Sequence, residues 1–397
     1  MAVARGESVT EREVEDAARV IDGRVRETPL LSAGELSRRL GAPVVLKAEN
    51  LQLTGSFKPR GAFNLISRLP EDRLRCGVVA ASAGNHAQAV AFAAREAGAN
   101  AVLAMPAGAP LAKVAAVRQY GGAVRLVEGS YEDAGEEAAR IATEEGRTLV
   151  HAFDHPAIVA GQGTVGLEVA RQNPAVRLAV VPLGGGGLAS GTAIALKSRL
   201  PDVRVVAVQA EARSYGTICD GIAVKRPGEL TGPLVERYVD EVVTVSDDQV
   251  AEAMVLLLER SKLVVEGAGA VGVAALMHGL VEAPAAGGEV CAVLSGGNVD
   301  ATLLSEAIRL GETHAGRRMV LSTVVPDRPG ALAALLSLVA ARGANVVDVE
   351  HLRDGLDLHV RETAIKLVLE TRGPEHSGEV VEAARAEGFS VRVEREA

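Results

Sequence analysis

The chain has 397 residues, a formal net charge of -9 at pH 7, 2% aromatic residues and no tryptophan. At roughly 150 residues per domain, this length allows two or three domains and a large core. The acidic balance, the lack of a long Lys/Arg run and the scarcity of stacking rings argue against nucleic acid or an anionic membrane as partner. Three cysteines, Cys76, Cys219 and Cys291, show no metal-ligand spacing and read as reduced thiols. No apolar stretch has signal-peptide or membrane-spanning length, so a cytoplasmic location is the default expectation.

In chain order, Thr10-Glu-Arg-Glu13 is a capping box that opens an amphipathic helix to about Ile21, and Ser32-Ala-Gly-Glu35 predicts a second helix start. A strand at 44–47 leads into Glu49-Asn-Leu-Gln-Leu-Thr-Gly-Ser-Phe-Lys58-Pro-Arg-Gly-Ala62. Pro59 suits the first turn of a helix and so places Lys58 at its entry, where the helix dipole and burial both disfavour an ammonium. A neutral amine competent for Schiff-base chemistry follows, although a lone lysine at a helix start is also a common surface feature.

Beyond Leu69 the pattern becomes a regular alternation. Strands are predicted near 77–80, 100–104, 123–127 and 148–152, with helices near 84–97, 110–120 and 131–146. A second series follows, with strands at 178–182, 204–209, 241–245 and 289–294, and helices at 187–199, 247–260, 267–280 and 300–311. Such alternation predicts an α/β fold of two lobes, each an open parallel sheet with helices on both faces, the smaller lobe spanning about 50–155. Ligands in such folds bind at the carboxyl ends of the strands, where the motifs lie.

Gly184 to Gly187 follow the strand Leu178–Leu183 and precede a helix, so their amides can converge on a phosphate without interference from a Cβ. Ser82-Ala-Gly-Asn85-His86 lies between a strand and a helix, offering amides and a hydroxyl to an anion, or a simple cap. Gly267-Ala-Gly-Ala-Val-Gly272 matches a dinucleotide fingerprint, but no second strand ending in an acidic residue follows, and close helix packing explains its glycines. Glu266, just before it, either faces the site or caps the helix. No metal site is expected, because His151 and His155 lack a nearby third ligand.

Lys58, Ala81-Ser-Ala-Gly-Asn-His-Ala-Gln88, Gly184-Gly-Gly-Gly-Leu188 and Ser295-Gly-Gly-Asn298 together resemble the fold-type II family of pyridoxal-phosphate (PLP) enzymes, and threonine ammonia-lyases (threonine dehydratases) in particular. The resemblance implies a PLP-dependent catalytic domain over residues 1–315. It makes Lys58 the catalytic residue that carries the cofactor, with Phe57 flanking it, Gly184, Gly185, Gly186, Gly187 and Leu188 around its phosphate, Asn85 on its 3′ oxygen and Ser295 on its pyridine nitrogen. Ser82, Ala83, Gly84, Asn85 and His86 would receive the substrate carboxylate. A neutral serine does not hold that nitrogen protonated, which fits loss of a β-hydroxyl better than transamination.

After Arg318 the predicted order is β-α-β-β-α-β, a ferredoxin-like unit. Val-Pro-Asp327-Arg-Pro-Gly330 and Gly343-Ala-Asn-Val-Val-Asp348 resemble an ACT domain, an amino-acid-sensing module, over 318–397. That resemblance implies an amino-acid effector, isoleucine for example, near Asp327, Arg328, Pro329 and Gly330, in a homo-oligomer that is a dimer or tetramer.

The implied reaction is deamination of L-threonine to 2-oxobutanoate and ammonia, and of L-serine to pyruvate. An L-serine ammonia-lyase is one rival, differing by a single methyl in the pocket. A serine or threonine racemase is a second; it needs an acid on the far face of the carbanion, a serine in that branch of the family, and the position here is Ala83. A non-catalytic amino-acid sensor is the rival from another class, opposed by the presence of Lys58, Asn85 and Ser295. Between Glu211 and Cys219 the chain is shorter than the family pattern, and Gln209 stands where cation-binding relatives have a glutamate, so no cation is expected there.

Overall fold

The computed structural model describes residues 8–211, 216–224, 226–285, 287–353 and 358–394. By contacts the chain separates into Met1–Asp300 and Ala301–Ala397. The first unit begins with α1 (Glu11–Ile21), β1 (Leu30–Ser32), α2 (Gly34–Leu40), β2 (Val44–Ala48), α3 (Pro59–Ile66) and α4 (Glu71–Cys76). It continues with β3 (Val78–Ala81), α5 (Asn85–Glu96), β4 (Ala101–Pro106), α6 (Leu111–Gln119), β5 (Ala123–Val127), α7 (Tyr131–Glu144) and β6 (Thr148–Leu149). Then come α8 (Pro156–Gln172), β7 (Val176–Pro182), α9 (Gly187–Arg199), β8 (Arg204–Ala210), α10 (Thr231–Tyr238), β9 (Glu241–Val245), α11 (Asp247–Leu256), α12 (Gly267–Met277) and β10 (Glu289–Leu294).

Two sheets result. The larger has the order β1-β2-β10-β7-β8-β9, parallel apart from the antiparallel edge strand β1, and the smaller, β5-β4-β3-β6, is parallel throughout. Side chains alternate faces along a strand, and a parallel sheet buries both. Accordingly Val78 and Ala80 of β3 pack with Ile66 and Val90, while Val79 packs with Ala134, Ala138 and Ile141 of α7.

The Thr10 capping box forms as expected. Ser32 does not cap: it pairs with Val45 as the last residue of β1, so α2 starts from Ala33 without a side-chain cap, and Glu35 pairs with Arg38 and Arg39 instead. Helix α8 is hidden in the sequence by its Pro156 start and by three interior glycines, each costing about 1 kcal/mol relative to alanine. Packing explains them. A Cβ would lie 2.6 Å from the Arg60 carbonyl at Gly161, 2.8 Å from the Gly191 carbonyl at Gly163 and 2.6 Å from the Thr192 carbonyl at Gly166. These glycines let α8 approach the backbones of α3 and α9 more closely than any side chain would allow.

Beneath α3 lies a buried ion network. Arg60 donates through Nε and Nη2 to Glu49, at 2.8 Å each, and through Nη1 and Nη2 to Glu168 at 2.6 and 2.9 Å. Lys47 donates to Glu168, to the Thr28 carbonyl at 2.7 Å and to Gln172 at 3.1 Å. Two cations face two carboxylates, so the charge balances. Removing one member of such a set costs about 3–5 kcal/mol, because its partner is left buried and unpaired.

The second unit holds α13 (Ala301–His314), β11 (Arg318–Pro326), α14 (Ala331–Ala341), β12 (Asn345–Leu352), β13 (Glu362–Glu370), α15 (Pro374–Ala386) and β14 (Ser390–Glu394). Its antiparallel sheet has the order β12-β13-β11-β14, the ferredoxin-like arrangement. Leu321, Leu335, Ile365, Leu367 and Val380 form the centre of its core. No helix of the described residues in either unit is long and apolar enough to cross a membrane.

Candidate active site

A cavity of about 510 Å³ opens in the first unit, where β3, β7 and β10 end. Every site residue of that unit singled out from the sequence lines it: Phe57, Lys58, Ser82 to His86, Gly184 to Leu188, and Ser295. The elements of two different sheets thus deliver their C-terminal loops to one space, as open α/β folds do.

Lys58 arrives on a tethered loop. After β2 the chain makes two short 3-10 turns, Ser56 bridges to Gly296, and the Phe57 N–H donates to the Ser295 carbonyl at 3.0 Å. Pro59 then starts α3, and Arg60 locks that helix into the ion network. Lys58 Nζ donates to the Ala152 carbonyl at 3.0 Å and sits 5.0 Å from the centre of the Phe57 ring. Burial pulls its pKa down to about 8, opposed by the negative charge of Glu266. The neutral amine is therefore far more accessible than in an exposed lysine.

The four glycines form a cradle that side chains would fill. Gly186 has φ +90°, a left-handed conformation that favours glycine. A Cβ on Gly184 would lie 2.8 Å from Ile222 Cα, one on Gly186 would lie 2.9 Å from Thr231 Cβ, and one on Gly185 would enter the Phe153 ring. Behind the loop, Thr231 Oγ1 donates to the Gly185 carbonyl at 2.6 Å, and Asp154 accepts the N–H groups of Glu229, Leu230 and Thr231 at 3.0 to 3.1 Å. The first amides of α9 have no intrahelical acceptor, so this rigid turn presents anion-binding donors to the cavity.

At the third loop Ser82 Oγ accepts the Gly84 N–H at 3.1 Å, and α5 begins at Asn85 with no side-chain cap. His86 is buried, its Nε2 bonded to the Val150 carbonyl at 2.9 Å, and burial with the nearby Lys58 charge pushes its pKa down to about 3. Its imidazole is neutral and spent on holding the residue after β6 to α5; its backbone N–H, in the first turn of the helix, is left for an anion. Ser295 Oγ, by contrast, makes just a long 3.4 Å bond to the Ala268 carbonyl.

The structure adds residues that the sequence reading had left without a role. Glu266 faces the cavity rather than capping α12: its carboxylate accepts from Asn85 Nδ2 at 2.8 Å, and burial followed by the Asp220 charge pushes its pKa up to about 7. Lys113 on α6 pairs with Asp220 at 2.6 Å beside the same cavity. Neither pair had a motif to announce it, since their members lie far apart in sequence. Gly267 and Gly269 belong to packing, as expected, with a Cβ only 2.5 Å from the Ile218 carbonyl and 2.6 Å from the Gly296 carbonyl. His151 and His155 use Nδ1 to accept backbone N–H groups of Asp154 and Ala157 at 2.8 and 3.1 Å. Of the short segment 212–218, residues 212–215 lie outside the described residues. Gly216 and Thr217 line the cavity, and Gln209 donates to Thr244 Oγ1 at 3.2 Å.

In the second unit, Asp327 to Gly330 form the turn between β11 and α14. The Asp327 N–H donates to the Arg361 carbonyl at 2.7 Å, and its carboxylate pairs with Arg353 at 3.0 Å.

Comparison with known proteins agrees with this geometry. Residues 21–296 match the family model described as pyridoxal-phosphate dependent enzyme, and residues 319–388 match the ACT domain. The L-threonine ammonia-lyase of Thermotoga maritima is 43% identical over 97% of this chain and 99% of its own. Among solved structures, maize serine racemase (TM-score 0.72, 33% identical) covers 78% of this chain and 99% of its own. The T.th. threonine deaminase (TM-score 0.68, 36% identical) covers 73% of this chain and 99% of its own.

Proposed function

Because this chain belongs to the family of pyridoxal-phosphate-dependent enzymes and carries an ACT domain, we propose that it is a threonine ammonia-lyase. It converts L-threonine to 2-oxobutanoate and ammonia, and L-serine to pyruvate, with residues 1–315 as catalytic domain and 318–397 as regulatory domain. The observation that carries this reading is the convergence of Lys58, the glycine cradle, Asn85 and Ser295 on one cavity.

The residues present fit the cofactor. Lys58 supplies an amine whose pKa is lowered to about 8, Gly184 to Leu188 supply donors for its phosphate in a space where a Cβ would clash, and the Ser295 hydroxyl is weakly engaged. Asn85 and Phe57 complete its surroundings. When bound, pyridoxal phosphate supplies the electron sink for charge left on Cα.

The protein's own part follows from the geometry. The loop Ser82-Ala83-Gly84-Asn85, with the His86 N–H, presents helix N-terminal donors to the substrate carboxylate and so fixes the orientation of Cα. Lys58 Nζ, whose one hydrogen-bond partner among the described residues is the Ala152 carbonyl, is free to take up the Cα proton once neutral. Ala83 has no proton to give from the opposite side, which disfavours racemisation and leaves loss of the β-hydroxyl as the outcome.

Regulation is assigned to the turn Asp327-Arg328-Pro329-Gly330, as the site of a branched-chain amino acid such as isoleucine, with a coupling of about 1–3 kcal/mol. Asp327→Ala should weaken that response and leave the rate without effector unchanged. The setting is a cytoplasmic homo-oligomer. Support for the compartment comes from the three free thiols, and the subunit number is measurable by light scattering.

Ammonia release from L-threonine and L-serine by the purified protein supplied with pyridoxal phosphate tests the reading. Activity with both substrates is expected. Release from neither, with no visible absorbance that depends on Lys58, would overturn it; D-serine formed as fast as ammonia would shift the assignment to a racemase.

A further inference from the structure

The Asn85 amide is not left to choose its own orientation. Asn298 Nδ2 donates to the Thr54 carbonyl at 2.7 Å and to Asn85 Oδ1 at 2.7 Å. Those two bonds use both protons of the Asn298 amide, so its direction is dictated by a backbone carbonyl. Asn85 must then turn its oxygen to Asn298 and its nitrogen to Glu266, where Nδ2 donates at 2.8 Å. The second Nδ2 proton has no acceptor among the described residues.

Space for this chain of bonds is made by two glycines. A Cβ on Gly55 would meet Asn298 Oδ1, and one on Gly296 would meet Glu266 Oε1 and lie 3.2 Å from Asn85 Nδ2. Gly296 is half of the Ser56–Gly296 bridge and Gly55 adjoins it; that bridge ties the Lys58 loop to the end of β10. The Glu266 N–H donates to the Gly296 carbonyl at 3.1 Å, which fixes the carboxylate in place. Lys58 feels its charge directly.

We propose that Glu266 is a positioning residue for the reaction: with Asn298 it locks the Asn85 amide so that one N–H is presented to the cavity. This rests on the ammonia-lyase reading and adds to it a role for Glu266, which the sequence left open between facing the site and capping the helix. The charged and titratable groups facing Glu266 are Lys58 from the α3 loop, Lys113 from α6, and Asp220 with Cys219 from the turn after Thr217. Lys113, itself paired with Asp220, is the cation that lowers the Glu266 pKa, while the Glu266 charge raises that of Lys58. Protonation of Glu266, whose pKa is pushed up to about 7, weakens the acceptor that holds the Asn85 amide at 2.8 Å, so the lock depends on pH.

Three variants of the full-length holoenzyme test this: Glu266→Gln, Asn298→Ala and Gly296→Ala. The readouts are the pH dependence of kcat/KM for threonine and the pH titration of the cofactor's visible absorbance without substrate. Wild type should show a transition near pH 7 in both, and Glu266→Gln, which keeps shape and an acceptor for Asn85, should lose it. Asn298→Ala should shift the visible band and lower kcat about tenfold, the effect of a lost buried hydrogen bond. Gly296→Ala removes no functional group, yet should reproduce the band shift by displacing Glu266.

An active, coloured wild type whose Glu266→Gln variant keeps the same pH profile and spectrum removes this inference alone. If that variant does not fold, an Asn298→Ala enzyme with wild-type band and kcat removes it equally. A wild type with neither colour nor ammonia release removes the functional reading and this inference with it.

Discussion

Lys47 and Lys58 stand eleven residues apart on either side of one loop, and burial lowers the pKa of both. Their surroundings make them different groups. Lys47 is fully buried and spends its three donors on Glu168, the Thr28 carbonyl and Gln172, so its charge is satisfied and it serves the fold. Lys58 has one carbonyl, a ring beside it and a cavity in front. A buried ammonium with a full set of acceptors stays protonated, whereas one with a single acceptor and no close carboxylate gives up its proton easily. Among the described residues, Lys58 lacks the set of acceptors that Lys47 has.

The sharpest way to break that contrast is Lys58→Ala. Ammonia release should fall by about 10³–10⁴-fold or more, since the group that moves the proton is gone, while the melting temperature should not drop, because a poorly solvated ammonium is removed with it. A variant within tenfold of the wild-type rate would end the assignment. Lys47→Met should do the reverse: it leaves Glu168 facing Arg60 alone and costs about 3–5 kcal/mol in denaturant melts, with kcat/KM of the folded protein unchanged. A stable but inactive Lys47→Met protein would mean that the two lysines are not divided as described.

A smaller effect separates the cradle from the lysine. Gly185→Ala pushes a methyl into the Phe153 ring, and overpacking of about 1–3 kcal/mol should weaken cofactor binding, measured by spectral titration, without altering the Lys58 pH dependence. The smallest concerns pH and stability in protein stripped of cofactor. Folded Lys58 releases its proton near pH 8 and the unfolded chain near 10.5, so the unfolded state binds more protons between those values. Wild type should therefore gain stability relative to Lys58→Met as pH rises through that window, by on the order of 1–2 kcal/mol after solvent screening, and none of that gain should appear below pH 8. Urea melts across the range measure it.

Much of the site was legible because its parts are local. Ser-Phe-Lys-Pro, four consecutive glycines after a strand, and Ser-Ala-Gly-Asn before a helix each occupy one loop, and a short motif on one loop is written in consecutive residues. Glu266 resisted the same reading, since its partners Asn85 and Asn298 come from other loops and nothing at positions 265 to 267 tells a carboxylate facing a cavity from a helix cap. Glu168 was hidden for a related reason. It sits on a helix whose glycines argue against a helix until the Arg60, Gly191 and Thr192 carbonyls are seen pressed against them.

Composition, periodicity and motif order by themselves determined the α/β lobes and the ferredoxin-like C-terminal unit, because strand and helix periods and glycine-rich turns are properties of neighbouring residues; the choice of Lys58 came from its resemblance to a family. Tertiary structure alone decided which buried charges are matched and which are not. Matching depends on distances across the sheets: a lysine side chain is a paired cation beside Glu168 and a sparsely bonded one beside an open cavity, and only the folded chain brings those surroundings to it.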